Sequence, residues 1–443
     1  MVKARENGRT RVDQNTSQRS SANVPHLVEH LFRHESTKMV AILTGIFGIE
    51  HFGLAEDVVQ ETLARALQTW PFYGVPENPS AWIMRASRNL ALDFVRRQKT
   101  FRDKEADIIH SIERQLPDSD QTTMSNQEIA DDRLRLMFVC CHPDIPQDAQ
   151  VALALKTLCG FGVGEISRAF LTTDAATAKR LTRAKQKIRE SKIPFEIPDA
   201  SQLPVRLDSV LQCLYLLFNE GYKASAGDQL VRKDICDEAI RLAESLAQHR
   251  SGNHPRTHAL LSLMLFNNAR TPARMDEQGN LLLLRDQDRS KWDQGQIARA
   301  MFHFAQSAAG GELTDYHLQA GIASCHSTAK DYASTDWQQI LALYDRLYQL
   351  DQSPITALNR AVAVAEVHGP QAALDALKSN PDCSALESFY LYHAVIGDME
   401  ARLSNWAIAR EHLGKAYELA ELKSEKEFLS HRLQAVEQEL KNT

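Results

Sequence analysis

The chain has 443 residues, more than one compact domain needs, and a hydrophobic fraction of 43% that is ordinary for a globular protein with real cores. Its formal net charge of -6 is unevenly spread: residues 1–199 hold 27 Lys+Arg against 26 Asp+Glu, and residues 200–443 hold 24 against 31. No apolar run approaches a membrane span, and seven cysteines without framework spacing argue against a disulfide scaffold and fit a reducing cytosol.

Residues 1–23 are polar and lack the apolar core of a secretory signal, so they are expected to form a disordered tail. From there on aliphatic and Ala-rich stretches dominate and strand-like alternation is rare, which predicts an all-α protein. "AEDVVQETLARALQTW" places Val59, Leu63, Ala66 and Trp70 on one apolar stripe, with Asp57, Gln60, Glu61 and Gln68 on the other side. A loop over Pro71–Ser80, with three prolines and a glycine, leads into a second helix, "AWIMRASRNLALDFVRRQK". There Ile83, Ala86 and Leu90 face a core, and Arg85, Arg88, Asn89 and Arg96 share the opposite face.

The acidic-Gln-Glu helix followed by the Trp-x-x-x-x-Ser-Arg-Asn-x-x-x-Asp-x-x-Arg-Arg helix resembles region 2 of the extracytoplasmic-function class of bacterial sigma factors, within the sigma-70 superfamily. The resemblance implies that Asp57, Gln60 and Glu61 dock on core RNA polymerase. It also implies that the loop, with Arg85, Arg88, Asn89, Asp93, Arg96 and Arg97, melts and holds promoter DNA. The physical demands agree: strand opening needs a cationic ledge for the backbone and a pocket for an unstacked base. Gly74, Pro76 and Pro79 depart from the family's more usual polar and aromatic loop residues.

Residues 101–130 are polar, of mixed charge and weakly periodic, and are expected to link the first domain (24–100) to a second (131–193). The adjacent Cys140, Cys141 and His142 raise a metal site. Neighbouring helical residues point about a hundred degrees apart and chelate poorly, so buried small cysteines are the better reading and no metal ligand set is assigned. Next, "GEISRAFLTTDAATAKRLTRAKQKIR" reads as helix, turn and helix. Leu181, Ala184 and Ile188 pack inward on the last helix, while Lys179, Arg180, Arg183 and Lys187 point outward together. This stretch resembles region 4 of the same sigma class, which binds the more distant promoter element, so the last helix is expected to read promoter DNA.

A short joint with Pro194, Pro198 and Pro204 precedes a C-terminal domain (194–443). "VLQCLYLLFNEGY" reads as a buried helix stopping at Gly221, and "WQQILALYDRLYQL" puts Trp337, Ile340, Leu343, Tyr344 and Leu347 on one face. Ala373 matches Ala409 and Leu377 matches Leu413, each 36 residues on, close to tetratricopeptide-type helix-hairpin stacking. Between these lies "ARMDEQGNLLLLRDQDRSKWD", where Gly279–Asn280 could turn a small hairpin before a helix near Ser290. Asp286, Asp288, Arg289 and Asp293 are read there as caps and ion pairs ahead of a ligand site.

The full order of segments resembles a subgroup of these sigma factors with a long tetratricopeptide-like C-terminal extension. The function implied is a cytoplasmic sigma factor with a fused regulatory domain. Its partners would be core RNA polymerase and promoter DNA, with a regulatory protein or ligand left open at the C-terminal half. The alternative is a helix-turn-helix regulator without sigma activity. No Gly-rich phosphate loop, nucleophile elbow or metal cluster supports an enzyme, so neither catalytic residues nor cofactors are assigned.

Overall fold

Ala- and Leu-rich stretches with apolar residues every third or fourth position fold as α-helices, because that spacing places them on one face of a 3.6-residue turn. The computed structural model describes residues 24–97, 105–116, 126–170, 172–222, 232–277, 281–379 and 386–442. Among these residues it is all-helical; the extended pairing is a single antiparallel bridge, Met275 with Leu281. The polar tail over 1–23 and the proposed turn at Gly279–Asn280 lie outside the described residues.

The chain divides into two units, Met1–Ile166 with Asp174–Val210, and Ser167–Thr173 with Leu211–Thr443. In the first unit α1 (Val24–Phe47) is followed by α2 (Phe52–Tyr73), α3 (Pro79–Arg97) and α4 (Glu105–Gln115). Then come α5 (Asn126–Cys140), α6 (Gln147–Thr157), α7 (Val163–Ala169), whose last residues fall to the second unit, and α8 (Asp174–Glu190). Helix α1 is the hub: Met39, Ala41, Ile42 and Leu43 are fully buried, and α2, α3, α4 and α5 all pack on it. Thr37 on α1 donates to the carbonyl of Leu158, beyond the end of α6, at 3.1 Å. Cys140 and Cys141 are fully buried at the end of α5, where they fill space as small apolar groups.

Two boundaries differ from the sequence reading. Helix α2 runs through Pro71 to Tyr73 and stops at Gly74, whose φ of +84° suits a residue without a Cβ. Pro71 has no N–H to give the Leu67 carbonyl, so the helix carries through it with one backbone bond forgone in its last turns. The proline-punctuated joint is also shorter than its prolines suggest, since α9 (Leu203–Tyr222) starts with Pro204 in its first turn. Just inside α9, Arg206 is 6% exposed, donates to the carbonyl of Phe138 at 2.7 Å and lies over the Phe138 ring.

The second unit continues with α10 (Lys233–Gln248), α11 (Pro255–Ala269), α12 (Gln294–Ser307), α13 (Asp315–Thr328) and α14 (Trp337–Leu350). It ends with α15 (Pro354–His368), α16 (Pro370–Lys378), α17 (Tyr390–Arg402), α18 (Trp406–Leu419) and α19 (Lys423–Asn442). Gly221 in α9 lets α10 come close: a Cβ there would sit 2.8 Å from the backbone nitrogen of Cys236. The pair α15–α16 recurs 36 residues on as α17–α18, with Pro354 answered by Tyr390 and Pro370 by Trp406. Ala373, Leu377, Ala409 and Leu413 are all buried at the matching positions. On α14, Ile340 and Leu347 are buried, with Trp337, Leu343 and Tyr344 packed against the same core.

Residues 281–293 cross between helices without sheet or long helix. Asp288 accepts from the Ser290 amide, and Asp293 accepts from the Gln296 amide at 2.9 Å, so α12 begins at Gln294, four residues after Ser290. Arg289 donates to the carbonyls of His326 and Ala329 and to the Thr335 hydroxyl. Asp288 and Asp293 are thus caps, as expected, while Arg289 locks the segment through backbone carbonyls and a hydroxyl.

Candidate nucleic-acid interface

Trp70 near the end of α2 meets Trp82 at the start of α3 edge-to-face, with centroids 5.5 Å apart. Asn78 accepts from the Ala81 amide and so caps α3, while the Ser80 hydroxyl bonds Glu35 on α1. The loop is thereby reduced to the few residues after Gly74. Ahead of it, Phe72 and Tyr73 are 83% and 89% exposed. The sequence reading passed over this pair; its signal was two adjacent aromatics just before a helix-ending glycine, in "PFYG".

Asp57, Gln60 and Glu61 all lie exposed on α2, opposite the buried Val58, Val59, Thr62 and Ala66. Glu61 pairs with Arg65 one turn on at 3.0 Å. On α3, Arg85, Asn89, Asp93, Arg96 and Arg97 are exposed and Ile83, Ser87, Leu90 and Ala91 are buried. Arg88 departs from the expected outward face. It is half-buried, with its Nε enclosed, because it sits at the flank of the apolar stripe.

Helix α8 buries Thr177, Leu181, Ala184 and Ile188 and packs on α6. Lys179, Arg183 and Lys187 are exposed along a concave surface of about 620 Å³, which Asp144, Asp148 and Glu190 also line. Arg180 does not stand with them as a free cation: it is half-buried and its Nε pairs with Asp148 at 3.2 Å. Lys185, on another face, bonds Glu56 of α2 and lies 5.7 Å from the centre of the Phe52 ring. His142, between α5 and α6, has its pKa lowered, first by burial and then by Arg206.

The arrangement therefore offers an acidic, hydrogen-bonding face on α2 and a cationic face on α3 beside two exposed aromatics. A second cationic face lies on α8. Cations neutralise phosphates, and exposed rings give stacking surfaces for unpaired bases.

Comparison with known proteins matches residues 31–101 to Sigma-70 region 2, which spans α2 and α3. Residues 206–308 match a family of unknown function, DUF6596. The chain is 38% identical over 382 residues to an uncharacterized protein, R00370, of Rhizobium meliloti (strain 1021), covering 86% of this chain and 89% of that one. No solved structure matches. Among the described residues, no helix is long and apolar enough to cross a membrane.

Proposed function

We propose that the chain, which carries a Sigma-70 region 2 segment and shares a family with the Rhizobium meliloti protein R00370, is a cytoplasmic sigma factor of the extracytoplasmic-function type with a fused regulatory domain. Asp57, Gln60 and Glu61 dock on core polymerase. Arg85, Asn89, Asp93, Arg96 and Arg97, with Arg88 steadying the helix, hold the melted promoter strand. Phe72 and Tyr73 add the stacking surface that captures an unpaired base.

In this reading α7, the turn and α8 form a helix-turn-helix, and Lys179, Arg183 and Lys187 meet the upstream promoter element in its major groove. Arg180 contributes by holding Asp148 and thereby fixing α8 on the start of α6. The domains run over 24–100, 131–193 and 194–443, joined by 101–130, with residues up to Val210 belonging to the first compact unit. The C-terminal domain is a tetratricopeptide-like array, supported by the 36-residue recurrence of its helix pairs. It acts as a required positive element.

One observation carries the proposal: the Sigma-70 region 2 match falls on the segment where a polar acidic face and a cationic face occupy successive helices flanking exposed aromatics. Transcription from promoter fragments with sigma-free core polymerase tests it, and the full chain should support initiation. Promoter binding without initiation would instead identify a helix-turn-helix regulator lacking sigma activity. A shortened chain should end near Val210, because cutting at Pro198 removes Arg206 from the core of the first unit.

A further inference from the structure

The second unit contains a cavity of about 310 Å³, within the size range of small-molecule sites, roughly 300 Å³ and upward. Its walls are apolar and aromatic: Trp337, Tyr344, Val362, Val395, Leu413 and Phe428. They come from α14, α15, α17, α18 and α19, so stacked helix pairs create the space. Leu283, Leu284 and Arg285 form one lip. That lip is fixed in place, because Arg289 four residues on is tied to the carbonyls of His326 and Ala329 and to Thr335. A site built this way loses little freedom when filled.

The charged groups at the cavity do not balance. Among the described residues that line the cavity, Arg285, Arg402 and Arg432 face two carboxylates, Glu366 and Asp398. Arg402 pairs with Glu366 at 2.7 Å, and Tyr332 also hydrogen-bonds Glu366. Arg285 and Arg432 both donate to the same oxygen of Asp398. Two guanidiniums on one carboxylate leave one positive charge uncompensated, and each guanidinium carries five N–H donors. His326 at the inner wall is neutral, its pKa pushed down to about 3 by burial and then by Arg270 and Arg289. Its Nδ1 is buried and finds no hydrogen-bond partner among the described residues.

We propose that this cavity binds a small apolar monocarboxylate, with its aromatic or aliphatic body among Trp337, Tyr344 and Phe428 and its carboxylate on Arg285 and Arg432. A neutral apolar molecule would leave the extra guanidinium unmatched. An amine would add to it, and a dianion such as a phosphate ester would overshoot it beside Asp398 and Glu366. The inference rests on the second unit alone and stands whether or not the chain initiates transcription.

Isothermal titration calorimetry on the full chain tests it, with 1-naphthaleneacetate and decanoate as probes and the corresponding alcohols and amines as controls. At least one acid should bind with one-to-one stoichiometry, tighter than its alcohol by about tenfold or more, the range expected for one charge-assisted hydrogen-bonded pair. Arg432→Met leaves two guanidiniums for two carboxylates and should erase the difference between acid and alcohol. Ala394→Phe projects a ring into the space and should abolish binding; circular dichroism checks that each variant is folded. Because Arg432→Met acts at the half-exposed rim, it decides the matter even if Ala394→Phe does not fold. No binding by either acid, equal binding of acid and alcohol, or an acid preference that survives Arg432→Met would each overturn the proposal.

Discussion

Replacing Lys185 by Met should loosen the hold of α8 on α2. The Lys185 ammonium bonds Glu56, whose side chain is 11% exposed, while Lys185 itself is 30% exposed. Met removes the ammonium that lies near the Phe52 ring and leaves a nearly buried carboxylate without its cation. Breaking a fully buried pair costs about 3–5 kcal/mol. Here water reaches the lysine end, so the cost falls toward about 1–2 kcal/mol, still several times an exposed pair. The assay is a double-mutant cycle with Glu56→Gln, read by urea unfolding and by hydrogen exchange of peptides spanning 52–60 and 181–188. Each single variant should exchange faster in both peptides, and the coupling should be about 1 kcal/mol. A coupling below about 0.3 kcal/mol would mean that the contact is an ordinary surface pair and that apolar packing alone holds α8 in place.

Charge reversal at Asp57 and Glu61 should weaken capture of core polymerase in a pull-down while circular dichroism stays unchanged, since both side chains are exposed; loss of the Glu61–Arg65 pair costs only about 0.3–0.5 kcal/mol. Arg183→Ala should weaken binding of upstream promoter duplex by about 1–3 kcal/mol, whereas Asn89→Ala should spare duplex binding and reduce permanganate reactivity of the opened strand. If both fail at the same step, the two cationic faces do not divide the work. His303 is held down to about 4 by burial, then by His258 and Arg299, so the unfolded chain takes up a proton below about 6.5 that the folded chain refuses. Stability contributed by the neutral ring is therefore present above about pH 6.5 and lost as pH falls toward 4. The loss should be about 1–2 kcal/mol by pH ~4.5 after allowing for the ring's partial exposure, and His303→Gln should flatten that part of a melting-temperature profile.

Helix existence and the inward-facing residues were written locally, which is why they could be read without a structure. Leu181, Ala184 and Ile188 recur at one helical face, and burial of one face is all that the spacing requires. The 36-residue offset of Ala373 and Leu377 from Ala409 and Leu413 was legible for the same reason: repeated helix pairs repeat their contacts. Other features depended on partners that helical periodicity cannot name. Lys185 meets a glutamate 129 residues away, and Arg180 is taken up by Asp148 from another helix, so a run of six cations is not one uniform DNA face. Phe72 and Tyr73 are exposed only because α2 carries through Pro71 and ends at Gly74. The cavity and its surplus guanidinium exist only where six helices and the segment before α12 converge. Side chains from Leu283 to Arg432 meet there through packing over long sequence separations, which leaves no periodic mark in the chain.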